Sequence, residues 1–180
     1  MLQIVIPEEE LFDEETSTFS NLPKVTLQLE HSLVSLSRWE SKWNKAFLGK
    51  QKKTDEELFD YVRCMTLTKH VNPSVYSRLT QENMNAINEY IEAPMTATYF
   101  PKNFHNPMGG DTVTAELIYY WMVALNIPFE CQKWHLNRLM ALIRVCSIKT
   151  SPPKKMGKKE VMNRNRALNE ARRKKLHSKG

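Results

Sequence analysis

Glycine is scarce. Five in 180 residues are too few for a glycine-rich phosphate cradle or for an all-β barrel with many tight turns. The three cysteines, Cys64, Cys131 and Cys146, are odd in number, far apart and set among apolar neighbours, a pattern of buried reduced thiols and not of a disulfide scaffold. No apolar run approaches the ~20 residues that cross a bilayer; the longest, 117–125, reads as a core helix. The opening MLQIVIPEEE has neither a basic n-region nor a small-residue cleavage site, so it does not read as a signal peptide.

Reactive constellations are equally sparse. His31, His70, His105, His135 and His177 are scattered without a Cys, His or acid at the spacing a zinc site uses. His135 lies on a largely apolar stretch and reads as a satisfied core residue. There is no G-x-S-x-G nucleophile elbow. The loop 105–111 has adjacent glycines but no following Lys-Ser or Lys-Thr, so it reads as a turn and not as a phosphate site. Asp55-Glu56-Glu57 suits the positive end of a helix dipole better than a pair of catalytic carboxylates. The expectation is a protein that is not an enzyme, with no catalytic residue, no metal and no cofactor.

What the chain does have is a globular balance, 41% hydrophobic and 26% charged, with four Trp, six Tyr and seven Phe to fill a core. Its net charge of +6 is unevenly distributed. Residues 1–16 hold six acids and no Lys or Arg, whereas residues 151–180 hold eleven bases against two acids, a net +9 that leaves residues 1–150 at −3. Ser151-Pro152-Pro153 marks the boundary, because consecutive prolines lack donors and disfavour helix before them. The expected organisation is an acidic arm with a short strand over 1–23, a helical core domain over 24–150 and a basic tail over 151–180. The fold class is mainly α: a compact helical domain with a small N-terminal β element and a basic, partly helical C-terminal tail.

Within the body, Leu2, Ile4 and Ile6, and again Val25, Leu27 and Leu29, alternate with outward residues, predicting two strands that can pair as a long-looped hairpin. From Ser32 the period changes: Leu33, Leu36, Trp39 and Trp43 share one helical face. Thr54 and Glu57 form a capping-box pair ahead of the stripe Leu58, Tyr61, Val62 and Met65. Asn72-Pro73 opens a short helix and Thr80 caps the next, which stops before Pro94. Residues 95–111 read as an extended segment and a mobile loop. Thr112 or Thr114 caps a helix over 115–126 that is apolar all round, as a central helix is. One last body helix is expected from Pro128 through Val145.

The tail from Lys158 to Leu176 favours helix but offers no continuous apolar stripe, so it reads as a partly formed, solvated helix. Its bases, Lys154, Lys155, Lys158, Lys159, Arg164, Arg166, Arg172, Arg173, Lys174 and Lys175, are the candidate partner-binding residues, together with Trp39 and Trp43 as aromatic anchors. Nucleic acid is one partner for such a tail, disfavoured because no aromatic is present to stack on bases. The acidic arm of another copy, giving a homo-oligomer, is a second.

Several segments together carry a resemblance: Ile118-Tyr119-Tyr120-Trp121-Met122 through Ile127-Pro128-Phe129-Glu130, Lys133-Trp134-His135-Leu136-Asn137-Arg138-Leu139, Trp39-Glu40-Ser41-Lys42-Trp43 and Met95-Thr96-Ala97-Thr98. Over residues 33–155 the chain resembles tail assembly chaperones of tailed bacteriophages, small proteins of virion morphogenesis. The resemblance implies a host-cytoplasmic protein that binds the tape measure protein and helps recruit tail-tube subunits, with no membrane association; it transfers no functional residue. Nine Met and seven Phe would suit adaptable apolar contacts with such a client. A structural virion component, such as a tail or neck subunit, and a nucleic-acid-binding accessory protein are the alternatives.

Overall fold

Pairing of the two alternating segments organises the first half of the chain. The structure, a computed structural model, describes residues 1–13, 18–100, 112–150 and 157–177. Strand β1 (Leu2–Ile6) runs antiparallel to β4 (Val25–Leu29), with Leu2 opposite Leu29, Ile4 opposite Leu27 and Ile6 opposite Val25. That register puts Ile4, Ile6, Leu27 and Leu29 on one buried face, as the period of two requires. The first strand is therefore part of the body and not of an arm.

Between these strands the acidic segment forms a second antiparallel pair, β2 (Glu9–Asp13) with β3 (Thr18–Leu22). The arm expected there gives way to a hairpin, although Glu14 and Glu15 lie outside the described residues. Arg78 ties the base of this hairpin: its guanidinium pairs with Glu9 at 3.3 Å and donates to the carbonyls of Pro7 and Leu22.

After β4 the body is helical: α1 (Leu33–Trp43), α2 (Asp55–Met65), a 3₁₀ helix (Pro73–Arg78), α3 (Gln81–Glu92), α4 (Ala115–Ala124), a second 3₁₀ helix (Phe129–Lys133) and α5 (Leu136–Thr150). Their starts follow the side chains that can satisfy free N–H groups. Ser32 and Ser35 make a capping box at α1, Thr54 and Glu57 make the one expected at α2, and Thr80 and Thr114 cap α3 and α4. Residues after α2 extend the β1–β4 sheet, since Leu67 N–H donates to the Gln28 carbonyl and Glu30 N–H to that of Met65.

The core has two lobes, and α1 contributes to both. Trp39 packs with Ile6, Leu27, Leu29, Tyr61, Met65 and Ile87 on one side. Leu33 and Leu36 pack with Ile118, Met122, Leu139 and Ile143 on the other. The central helix is thus α1 and not 115–126: α4 buries Ala115, Ile118 and Met122 but leaves Tyr120 and Val123 outside.

A single last helix from Pro128 is also not what forms. The chain breaks at Trp134, which is extended (φ −71°, ψ 163°), because His135 bridges back to Ser32 and Leu136 N–H donates to the His31 carbonyl at 2.7 Å.

By contact the chain divides into two compact units, Met1–Lys149 and Thr150–Gly180. The second contains α6 (Lys158–Leu176), one continuous helix of 19 residues. Residues 101–111, most of the segment expected to be a mobile loop, lie outside the described residues.

Candidate functional site: an exposed aromatic face on a buried polar frame

Two buried histidines meet where β4, α1, α3 and the turn before α5 converge. His31 and His135 stand edge to face, with ring centroids 5.2 Å apart. His31 Nδ1 and the Tyr61 hydroxyl share a hydrogen bond of 2.6 Å. His135 Nε2–H donates to the Tyr90 carbonyl at 2.9 Å, and its Nδ1 accepts from Asn137 N–H at 3.2 Å. A carbonyl can only accept and a backbone N–H can only donate, so these two partners select one neutral tautomer of His135. Burial, with the neighbouring His135, pushes His31 down to about 4, and burial also lowers His135. Glu30 closes the group, accepting from the Tyr90 hydroxyl at 2.7 Å and pairing with the Met1 amino group at 3.0 Å. Chemically the group can hold elements together and respond to protons.

A second polar device positions α4. Glu40, buried on α1, accepts from Phe47 N–H at 2.8 Å with one carboxyl oxygen and from Ala115 N–H at 2.7 Å with the other. One side chain thereby fixes both the turn after α1 and the first residue of α4, where the helix dipole also favours a negative charge. Burial outweighs these bonds and raises the Glu40 carboxyl above its ordinary value.

Held this way, α4 turns an apolar face outward. Tyr120 is 65% exposed and Val123 60%. The half-buried Tyr119, one turn from Val123, has its ring 6.4 Å from that of Phe129, which is itself 53% exposed. The Tyr119 hydroxyl donates to Gln132 Oε1 at 2.9 Å, so the second 3₁₀ helix is anchored to α4 by a polar bond and leaves the Phe129 ring outside. Trp and Tyr commonly serve as rigid amphipathic anchors in protein interfaces. The period of the sequence could not reveal this face, because a segment apolar all round carries no marker of its outward side.

The aromatic anchors expected from the sequence lie elsewhere. Trp39 is fully buried and its Nε1–H donates to the Glu57 carbonyl at 2.8 Å; it is a core residue and cannot meet a partner in this fold. Trp43 is partly buried, donating to Asp60 at 2.9 Å, and Lys42 pairs with the same carboxylate at 2.6 Å. A groove beside them is lined by Lys42, Asp55, Glu56, Asp60, Arg63 and Tyr76, and Arg63 also approaches Asp60 at 4.0 Å. Cys131 is buried, Cys64 and Cys146 partly so, and no disulfide joins any of them.

Of the basic candidates, Lys158, Lys159, Arg164, Arg166, Arg172, Arg173, Lys174 and Lys175 fall within α6, whereas Lys154 and Lys155 lie outside the described residues. Lys159, Arg164, Arg166, Arg172, Arg173, Lys174 and Lys175 are exposed. Arg166 pairs with Glu170 at 3.5 Å one turn on.

Among the described residues no group of three or more His, Cys, Asp or Glu is placed to hold a metal ion, and no helix is long and apolar enough to cross a membrane. No family model matches the chain, nor does any curated protein or solved structure.

Proposed function

We propose that this protein is a non-enzymatic assembly chaperone of tailed bacteriophages, acting in the host cytoplasm on the tape measure protein and helping to recruit tail-tube subunits to it. The observation that carries the reading is the outward face of α4. Tyr120, Val123 and Phe129 are exposed on elements whose other sides are fixed by Glu40, Tyr119 and the apolar core. A rigid frame offering a small set of aromatic and aliphatic anchors suits a client that presents repeated apolar positions along a helix, because such contacts tolerate shifts in register. A patch this small binds one site weakly, and release is what an assembly factor needs. The resemblance to tail assembly chaperones includes the 118–130 segment that bears these residues.

Mass spectrometry of purified particles, together with a pull-down from infected cells, tests the reading. A chaperone is absent from finished particles and retrieves the tape measure protein from lysate. Stoichiometric presence in the particle would instead make it a tail or neck component.

A further inference from the structure

We propose that α6 is a duplex-DNA-binding helix that lies in the major groove, a use separate from client binding on α4. The sequence argument against nucleic acid was the absence of aromatic side chains, but stacking is required only for single strands; a groove helix needs hydrogen-bonding side chains toward the bases and cations toward the two backbones. A continuous helix of 19 residues, roughly 28 Å long at 1.5 Å per residue, supplies both in a defined arrangement.

At roughly 100° per residue, Asn165 and Asn169 fall on one side of α6, one turn apart, with Met162 beside them. Lys159, Arg166 and Arg173 recur every seventh residue along one flank of that side. Arg164, Arg172 and Lys175 line the other flank. The opposite side carries Ala167 and Ala171 with one base, Lys174, and Glu170 borders the Arg166 flank, where it pairs with Arg166. Asn pairs with the adenine edge and an apolar side chain with the thymine methyl, while flanking Arg and Lys reach the phosphates on either wall.

Other occupants fit less well. A flat acidic protein surface would use one flank and leave the other solvated. A bilayer surface would need an apolar stripe opposite a basic one, whereas Leu168 lies on the same flank as Arg164 and Lys175. All residues of α6 with a described exposure are exposed except the intermediate Val161, and the helix carries eight bases against two acids.

The test is fluorescence anisotropy of the full-length protein with a labelled duplex DNA at several salt concentrations. Its competitors are the unlabelled single strand, duplex RNA and polyglutamate. Binding should weaken linearly on a double-logarithmic plot with a slope of about −4 to −5, from roughly five phosphate contacts, and duplex DNA should be the strongest competitor. Arg166→Gln with Arg173→Gln should lower the slope by about 2 and weaken binding at least about tenfold near 0.1 M salt. Gln favours helix, so circular dichroism should be unchanged. Glu170→Gln, which releases Arg166 from its ion pair, should bind as tightly as the wild type or more tightly. Equal or better competition by polyglutamate or single strand, unchanged affinity in the double-Gln variant, or no binding at low salt would each overturn the proposal.

Discussion

Acidification from pH 7 to pH 5 should remove about 2 kcal/mol of stability through His31 alone. The folded value is about 4, against 6.5 for the unconstrained side chain. Between those values the unfolded chain binds a proton that the folded chain refuses, so stability is fully present above about pH 6.5 and is lost as pH falls toward 4, at ~1.4 kcal/mol per pH unit. Over the whole window this amounts to about 3 kcal/mol. Protonation would place a charge among the Tyr61 hydroxyl, the His135 ring and the elements packed on them, where Glu30 is already engaged by Tyr90 and the Met1 amino group. His135 adds to the effect in the same direction, since its value is lowered too. Urea unfolding of the wild type and of His31→Gln, measured from pH 7.5 to 4.5, isolates the contribution. The variant should start less stable but have a pH slope smaller by about one proton. Parallel curves for the two proteins would refute the assignment of a neutral, buried His31.

Four substitutions probe the frame and the face. Glu40→Ala leaves the N–H groups of Phe47 and Ala115 without their acceptor and should cost about 2–4 kcal/mol by urea unfolding. Thr54→Ala should cost ~0.5–2 kcal/mol, because the hydroxyl that accepts from Glu57 N–H is lost; a change within error of zero would mean the cap contributes nothing. Leu36→Ala, at a fully buried position between the helices of the second lobe, should cost about 2–5 kcal/mol, whereas Tyr120→Ala should stay within about 0.5 kcal/mol. Similar losses at Leu36 and Tyr120 would place Tyr120 in the core and remove the basis for a docking face.

Local chemistry was legible where one residue decides the outcome. The strands β1 and β4 were legible in the alternation of Ile4, Ile6, Leu27 and Leu29, and the start of α2 in Thr54 and Glu57, whose hydrogen bonds connect neighbours in sequence. What could not be read depended on distant partners. The break at Trp134 exists because the His31 carbonyl, a hundred residues earlier, takes the Leu136 N–H. The hairpin β2–β3 was hidden under an acidic composition that resembles a solvated arm. Trp39 and Tyr120 could both be read as core, and only the meeting of α1 with both lobes of the core determines that Trp39 is enclosed and Tyr120 is not. The outward face of α4 was therefore invisible in the sequence, although every residue that makes it lies between Tyr119 and Phe129.

The most direct test of the chaperone account is the solubility of a tape measure fragment co-expressed with this protein, compared between wild type and a Tyr120→Asp, Val123→Asp variant whose unfolding midpoint is unchanged. The account predicts that the wild type keeps the fragment soluble and co-purifies with it, and that the variant does neither. Equal solubilisation by the two proteins, or a fragment that stays insoluble with both, would contradict it.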